Sequence, residues 1–579
     1  MKDGIRVAVL LSVSATLLSG TAARSQTTAT TRVSVGNAGA EPNASSEGPS
    51  ISGGGRWVAF QSRATNLVVG DTNLSDDIFV RDLWVATIER VSVDTNGAQG
   101  DSHSVAPAIS ADGRFVVFAS QASNLIASDT NGSDDIFIRD RLLGTTELLS
   151  VDSSGVQGDG SSRYPSMSAD GRFVAFQSLA TNLVAVDVNG YVDVFVRDRL
   201  IGTTELISVS QTGNQGVGPS FNASISADGR YVAFLSKSAL TSVGTSPWRQ
   251  VFVRDRLFGT TVCASLGWSG GQGNYDSSEP SISADGRFVA FVSSATNLVF
   301  GLSWHPNGFV RDLQGSSTEA VNVSSSGTQG NARCEHVDIS SDGRFVVLQS
   351  AASNLTPGDT NGADDVFVRN RVNGTIERVS IGPAGVQANW DSEWPVISSD
   401  GRYVAFRSWA SNLVSGDTNG ARDVFLYDRG PQPPGPYCTS STSSNGCSAS
   451  IGANDHPSVS SANPCIISVT GVEGRKFGVL FYGIDNSGFA PVPWAAGSTS
   501  WLCVKTPAQR TPVQNSGGTY GYCDGSYVLD WNAYRAAHPL ALGNPPSVGA
   551  RVYVQAWFRD LYAVKSTNLS DAIGLMYGP

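Results

Sequence analysis

Short apolar runs bounded by Gly, Asp, Asn and Ser recur along most of the chain. In one copy they read RFVAFQS at 172–178 and DVFVRD at 193–198. An arginine recurs once in each copy, and successive arginines lie 57 or 58 residues apart. They are Arg56, Arg114, Arg172, Arg230, Arg287, Arg344 and Arg402. Self-similarity at such a period indicates a repeat architecture, and runs this short and rich in Val and Phe predict strands.

Each copy predicts four strands, which we call A to D. In the third copy, strand A is PSMS (165–168), and an Asp-Gly turn typical of a hairpin leads to strand B (172–178). A long loop leads to strand C (193–198), and a Gly-Thr-Thr turn leads to strand D (205–209). Strands B and C are apolar on both faces, which favours a sheet packed between two neighbouring sheets.

The two ends of the repeat region complement each other. The seventh copy stops after strand C, at 423–429, whereas 31–35 at the beginning matches a strand D that has no strands before it. A ring explains both ends, because the N-terminal strand then completes the seventh sheet and leaves no edge unpaired. We therefore predict an all-β fold, a closed seven-bladed β-propeller over residues 31–429, with 32–35 beside 424–427.

The copies resemble the TolB-like propeller family, whose blades carry the signature Pro-x-x-Ser-x-Asp-Gly-Arg. The signature is clearest at 165–176 and 280–291, and the first copy departs from it with Gly54 in place of the Asp. The resemblance covers about two thirds of the chain. It implies the fold and leaves the function open, because such propellers serve both as binding scaffolds and as parts of enzymes.

The remaining segments predict export and a second domain. Residues 1–25, with a charged start and an apolar run too short to span a bilayer, match a secretory signal peptide, and no later segment is apolar enough to span. We expect a secreted or periplasmic, monomeric protein. A Pro-rich linker (430–437) precedes residues 438–579, which predict a small β-sandwich. Export permits disulfides, and we favour Cys438–Cys447 and Cys503–Cys523, with Cys263 and Cys334 as buried thiols.

The B–C loops contain the best candidate for chemistry. Five of them follow the pattern Asp-x-Asn-x-x-x-Asp, a run of oxygen ligands suited to calcium. The five sets are Asp71/Asn73/Asp77, Asp129/Asn131/Asp135, Asp187/Asn189/Asp193, Asp359/Asn361/Asp365 and Asp417/Asn419/Asp423. The alternative is that Asp and Asn only close turns onto their own backbone. Blades 4 and 5 lack these acids yet keep strand C, which favours a local role such as metal binding.

Other repeated polar residues predict structural roles. A Gly-x-Gln-Gly element follows strand D, and we expect its glutamines to tie blades together, although they could line a ligand surface. The repeated Arg before strand B and the Arg-Asp of strand C predict structural pairing rather than an anion site. His103 and His336 both fall between strands D and A and could meet on the face that the D–A and B–C loops are expected to share.

The function is bounded by composition and by missing motifs. A net charge of -11 argues against nucleic acid, and no nucleophile elbow, His-Glu-x-x-His or phosphate loop is present. We expect a non-catalytic binding or scaffold protein with an extracytoplasmic protein or glycan partner. The alternative is a carbohydrate- or lactone-active enzyme, which predicts a non-repeated cluster of acids or His at the channel mouth. Trp248 and Trp304, in the two aberrant loops, could form a contact patch or simply fill space.

Overall fold

The computed structural model describes residues 29–430, except for 38, 128, 244, 245 and 303. In the C-terminal part it describes 449–453, 465–472, 475–483, 492–493, 501–502, 508–517, 525–538, 541, 551–559 and 567–576. Residues 29–430 form seven antiparallel four-stranded sheets, each ordered A-B-C-D. The predicted seven-bladed β-propeller is confirmed.

The first six blades are continuous in sequence, and the seventh takes its D strand from the N-terminus. The strands are β1 (Ala29–Arg32); blade 1, β2 (Ser46–Ile51), β3 (Trp57–Ser62), β4 (Asp77–Asp82), β5 (Thr87–Arg90); blade 2, β6 (Ser104–Ile109), β7 (Phe115–Ser120), β8 (Asp135–Asp140), β9 (Thr145–Leu148); blade 3, β10 (Ser162–Met167), β11 (Phe173–Ser178), β12 (Asp193–Asp198), β13 (Thr203–Leu206); blade 4, β14 (Ser220–Ile225), β15 (Tyr231–Ser236), β16 (Gln250–Asp255), β17 (Thr260–Cys263). They continue with blade 5, β18 (Ser277–Ile282), β19 (Phe288–Ser293), β20 (Asn307–Asp312), β21 (Ser317–Ala320); blade 6, β22 (Cys334–Ile339), β23 (Phe345–Ser350), β24 (Asp365–Asn370), β25 (Thr375–Arg378); and blade 7, β26 (Ser392–Ile397), β27 (Tyr403–Ser408), β28 (Asp423–Asp428), after a short 3-10 turn at Pro383–Gly385.

The ring closes through β1, which pairs antiparallel with β28. The prediction is correct in topology but shifted in position, because the strand starts at Ala29 and Arg32 lies opposite Phe425. Val33 follows the strand and donates its N–H to the carbonyl of Val424 at 2.7 Å. The Val33 side chain is fully buried in a core shared by blades 1 and 7. The closing strand thus adds both hydrogen bonds and apolar packing to the seam.

Each blade packs through strands B and C, as their two-sided apolar pattern predicts. The side chains of Val174, Phe176 and Val194 are fully buried, and the Phe176 and Phe195 rings stack at 6.0 Å. The outer strands differ from the prediction in length. Strand A of this blade starts earlier, at Ser162, and strand D ends earlier, at Leu206, because the chain beyond it turns inward to pair Val209 with Gln215.

The inner strand A of every blade contains a bulge. In blade 3 the register shifts between Arg163 and Ser166, and Tyr164 takes a left-handed backbone conformation with φ of 52°. The same left-handed position holds Gly48, Ala106, Asn222, Glu279 and Trp394 in five other blades, and these residues line one central cavity of about 480 Å³. Bulges redirect side chains, so these positions face the channel. Blade 6 has its shift one residue earlier, between Cys334 and His336.

The face formed by the A–B and C–D turns, which we call the bottom face, has the same Arg–Asp pair in six of the seven blades, and blade 6 has Asn370 in place of the Asp. Arg172 donates to Asp198 through Nε at 3.0 Å and Nη2 at 2.8 Å. The equivalent pairs are Arg56–Asp82, Arg114–Asp140, Arg230–Asp255, Arg287–Asp312 and Arg402–Asp428. The expected structural role of the repeated Arg and Asp is confirmed.

The C-terminal part is a separate β domain. Its strands are β29 (Ser450–Ala453), β30 (Ile466–Val472), β31 (Phe477–Gly483), β32 (Val492–Pro493), β33 (Trp501–Leu502), β34 (Gln509–Arg510), β35 (Gln514–Asn515), β36 (Gly525–Asp530), β37 (Arg551–Arg559) and β38 (Thr567–Met576), with one helix, α1 (Trp531–Ala537). The sheet β29-β30-β36 and the sheet around β31 and β37 share one core, which includes Ile467, Leu480, Tyr527 and Val554. The helix was not predicted. It begins where Asp530 accepts a hydrogen bond from the N–H of Ala533.

The remaining predictions concern the N-terminal segment, the linker, the cysteines and membrane-spanning segments. The predicted signal peptide (1–25), the linker (430–437) and the cysteine pairs Cys438–Cys447 and Cys503–Cys523 fall almost entirely outside the described residues. Cys263 and Cys334 are buried free thiols, as expected. Within the described residues, no helix has the length and apolarity needed to cross a membrane.

Candidate functional site

The D–A and B–C loops meet on one face of the ring, as predicted, and we call it the top face. In blade 2, Asn124 of the B–C loop donates through Nδ2 to the carbonyl of Gln99 at 2.8 Å. Its Oδ1 accepts from the N–H of Asp101 at 2.9 Å. Both partners lie in the loop that enters from blade 1, so these bonds join neighbouring blades. The expectation that the glutamine segment ties blades together is confirmed.

In four of the five predicted calcium loops, the two acids lie close together around a glutamine side chain. In blade 2, Nε2 of Gln157 donates to Asp129 Oδ1 and to Asp135 Oδ2, both at 2.8 Å. The same arrangement joins Gln99 to Asp71 and Asp77, Gln215 to Asp187 and Asp193, and Gln387 to Asp359 and Asp365. The glutamine nitrogen therefore lies where a cation bridging the two carboxylates would lie.

The asparagine of each loop closes a local turn. Oδ1 of Asn131 accepts from the N–H of Ser133 at 2.8 Å, and its Nδ2 donates to the carbonyl of Gly158 at 2.9 Å. Asn73, Asn189, Asn361 and Asn419 accept from the backbone two residues later in the same way. This is the turn geometry that the alternative interpretation predicted. For calcium to use these loops, the glutamine amide would have to rotate and present Oε1 to the ion.

Burial gives the last acid of each loop a shifted pKa. Asp135, Asp193 and Asp423 are buried, and burial raises the pKa of each carboxyl to about 6 despite hydrogen bonds from serine and amide groups. Asp77 and Asp365 shift in the same direction for the same reason. A raised pKa means that the fold favours the protonated acid, which could then donate a hydrogen bond itself.

Blade 7 closes its loop with charged groups from the N-terminal segment instead of a glutamine. Arg32 Nη1 lies 2.6 Å from Glu41 Oε1 and 3.1 Å from Asp423 Oδ2. Oxygens of Glu41, Asp417 and Asp423 lie within 4.8 Å of one another. Burial opposes ionisation of Glu41, but hydrogen bonds from Arg32 and Thr418 hold its pKa at about 2. The arginine thus offsets part of the negative charge of this cluster and fastens the closing strand.

Blades 4 and 5 show what replaces the acid. Gln250 occupies the position of the last Asp in blade 4, and its Oε1 accepts from Ser265 Oγ at 2.7 Å and from the N–H of Gly273 at 3.1 Å. In blade 5, Asn307 Oδ1 accepts from Gln329 Nε2 at 2.8 Å. A neutral amide therefore satisfies the same donors, so the loop needs an acceptor at this position but not a charge.

The channel positions of strand A hold a different residue in every blade. At the same point in seven copies the chain has Gly48, Ala106, Tyr164, Asn222, Glu279, His336 and Trp394. His336 was expected in a loop, but it lies within β22. It and His103 line separate cavities, so the two histidines do not meet, although Trp394 lines both cavities.

A cavity of about 350 Å³ at the channel mouth, between blades 5, 6 and 7, contains the best candidate for ligand chemistry. We call it the acid-lined pocket; its polar lining comprises Ser278, Glu279, Glu335, His336 and Gln349, and Trp394 forms a wall. His336 Nε2 lies 3.7 Å from Glu279 Oε2, and its ring stacks on Trp394 at 5.8 Å. Burial lowers the pKa of His336 to about 4 and raises that of Glu279.

A second cavity, of about 330 Å³, lies between blades 1, 2, 3 and 7, and its charges are paired. Asp134 accepts from Arg163 Nε at 2.8 Å and lies 3.1 Å from His103 Nε2. Arg407 contacts Glu47 and Glu393, each at 2.9 Å, and lies 5.0 Å over the Trp394 ring. Non-repeated ionisable groups therefore surround the channel mouth, as the enzyme alternative predicted.

Exposed aromatic rings concentrate on the top face. Ten lie in its loops or at the channel mouth: Tyr164, Tyr191, Trp248, Trp268, Tyr275, Phe300, Trp304, Trp390, Trp394 and Trp409. On the bottom face, the exposed rings among the described residues are Trp84 and Phe258. Trp304 is 83% exposed, so it does not fill space left by its loop, whereas Trp248 stacks on Tyr275 at 5.0 Å.

The sequence predictions did not include Glu279, Glu335, Trp394 or Arg407. A signal for three of them was present in the repeat alignment. The two columns before the Pro of the blade signature, which hold Glu335, Glu279 and Trp394, vary from copy to copy, while the Ser before them and the Pro after them recur in most copies. A varying column inside an otherwise conserved repeat indicates a position that the fold does not fix.

The fold and the site define a seven-bladed β-propeller protein with a non-repeated channel mouth. No protein-family model and no curated protein matches the chain. Similar solved structures include an oligogalacturonate lyase from Vibrio parahaemolyticus, with TM-score 0.43 and 13% identity over 69% of this chain and 93% of that one. They also include a putative TolB from Agrobacterium tumefaciens (TM-score 0.32, 17%, 48% and 80%) and TolB from Acinetobacter baumannii (TM-score 0.32, 15%, 57% and 62%). The predicted resemblance to TolB is confirmed, and at these values it concerns the fold alone.

Proposed function

We propose that this is an exported, non-catalytic propeller that binds a glycan on its top face. The observation that carries the proposal is the set of ten exposed aromatic rings on that face. Exposed rings in such number mark an interaction surface, and flat rings with polar neighbours suit the mixed apolar and hydroxylated faces of sugars. A protein partner is the competing occupant, and binding of a protein without any sugar would replace this proposal.

Alanine substitution of the exposed tryptophans tests the proposal. Calorimetric titration with neutral and acidic oligosaccharides should show binding to the wild type, and Trp304→Ala or Trp390→Ala should weaken it by roughly fivefold or more, because truncated interface aromatics commonly cost over 1 kcal/mol. Trp84→Ala is the matched control, since Trp84 is 66% exposed but lies on the bottom face. Equal affinity in all variants, or no sugar bound at all, would reject the proposal.

The second candidate function is a glycan-cleaving enzyme with its site in the acid-lined pocket. Glu279 and Glu335 both line this pocket, and glycoside cleavage uses a pair of carboxyl groups, one with a raised pKa. Release of reducing ends from an oligosaccharide, abolished by Glu279→Gln with binding retained, would establish this function in place of the non-catalytic one.

Calcium stays a prediction for the five Asp-x-Asn-x-x-x-Asp loops. Heat on calcium titration, with about one equivalent of bound calcium lost in Asp135→Asn, would support it. No heat, together with unchanged melting in chelator, would end it.

A further inference from the structure

We propose that the acid-lined pocket binds a single sugar residue that has no negative charge. The inference rests on the proposed glycan binding and specifies one site and one ligand class for it. The pocket volume of about 350 Å³ lies at the small end of ligand sites, which span roughly 300–1,000 Å³, so it suits one ring rather than a long chain.

The charges around the pocket disfavour an anionic ligand. Its lining includes two carboxyl groups, Glu279 and Glu335, and no Lys or Arg. The arginines around the pocket already pair with carboxylates. Arg333 pairs with Glu335 itself and with Asp364, Arg407 with Glu47 and Glu393, and Arg249 with Asp276 at 3.4 Å. A carboxylate on the ligand would therefore meet like charge without a free cation to balance it.

His336 supplies a hydrogen-bonding position for a hydroxyl group. Its Nδ1 is buried and, among the described residues, has no hydrogen-bond partner. Its low pKa keeps the imidazole neutral at pH 7, so the ring neither attracts nor repels charge. A hydroxyl group can both donate and accept, and therefore satisfies either tautomer. An unsatisfied buried nitrogen costs free energy, which a ligand hydroxyl would recover.

Trp394 supplies an apolar wall that is fixed in place. Its backbone N–H donates to Gln349 Oε1 at 3.2 Å, and Gln349 Nε2 donates to Asp364 at 2.9 Å and to Glu335 at 3.3 Å. His336 stacks on the Trp394 ring and the Arg407 guanidinium lies 5.0 Å from its centroid, yet 44% of Trp394 is exposed. Gln349 is thus a positioning residue, and the open part of the ring can contact the sugar.

Matched sugars that differ only in charge test the inference. The probes are the methyl glycosides of glucose and galactose and those of glucuronic and galacturonic acid, titrated into the full chain. We expect at least one neutral glycoside to bind, at least tenfold more tightly than its acid. His336→Leu should weaken that binding about tenfold, and His336→Asn, which keeps a polar atom near Nδ1, should restore most of it. Glu279→Gln combined with Glu335→Gln should narrow the difference between neutral and acidic sugars.

The control is His103→Leu, in the second cavity, which should leave the affinity unchanged. Equal or tighter binding of the acids, or a His336→Leu variant that matches this control, would overturn the inference. No binding of any monosaccharide, with oligosaccharides still bound through Trp304 and Trp390, would overturn it while the proposed function survives. If no sugar of any length binds, both this inference and the proposed function are rejected. Thermal melting of each variant excludes loss of folding as the cause.

Discussion

Repeated and non-repeated positions of this propeller have different roles. The repeated ones, such as Arg172–Asp198 on the bottom face and Gln157 with its two acids on the top face, bond to other repeated residues and stabilise the ring. The non-repeated ones, such as Glu279 and Trp394, lie at the channel mouth. A ring that needs the same contacts in almost every blade tolerates variation most where those repeated contacts are absent. Variation within the repeat therefore indicates function, and constancy indicates stability.

The largest effect is expected at the seam that closes the ring. Val33→Asp should lower the free energy of unfolding by more than about 4 kcal/mol, because it places a charge in a fully buried apolar core. Thr31→Asp, at an exposed position of β1 two residues before Val33, should cost less than about 1 kcal/mol. Urea unfolding measures both, and equal values for the two variants would contradict the role of the seam.

The next effect concerns the glutamine between two acids. Gln157→Leu should cost about 2–3 kcal/mol, because Asp129 and Asp135 lose a shared donor and face each other unscreened. Gln329→Leu in blade 5, where the acceptor is the neutral Asn307, should cost about 1 kcal/mol. Urea unfolding of both variants gives the comparison. A smaller loss in blade 2 than in blade 5 would show that the acids are not held apart by the amide.

The repeat and its closure were predictable from the sequence because they depend on periodic apolar patterning and on turn residues with strong backbone preferences. The register of β1 was missed by about two residues, since residues 29–30 carry no apolar signal. The calcium loops were found, but the sequence could not show that Gln157, more than 20 residues beyond Asp135, lies between the two carboxylates. The acid-lined pocket depends on a bulge in strand A, which the sequence pattern does not reveal.

A smaller effect is expected from pH. The pKa of Asp135, Asp193 and Asp423 is about 6 in the folded protein, above the usual value near 4. Between these two pH values the native state therefore binds more protons than the unfolded state. Stability should therefore rise as pH falls from 7.5 to 5.5, by roughly 1 kcal/mol per group at most, and decline as pH rises through 6. Glu41, with a pKa near 2, acts oppositely but only below about pH 4.5.

Thermal unfolding across this pH range checks the sign. The melting temperature should be higher at pH 5.5 than at 7.5, and Asp135→Asn should reduce the slope. Lys237→Gln provides a control, because it removes no carboxyl group. A melting temperature that falls steadily from pH 7.5 to 5.5 would show that these acids are charged in the folded state.

The smallest effect on stability is expected where the effect on binding is largest. Trp304→Ala and Trp390→Ala remove exposed rings, so the free energy of unfolding should change by less than about 0.5 kcal/mol. Urea unfolding measured beside sugar binding on the same protein samples separates the two properties. Loss of both stability and binding in these variants would place the tryptophans with the repeated, structural positions. Loss of binding alone would place these tryptophans with the non-repeated positions, on which the stability of the propeller does not depend.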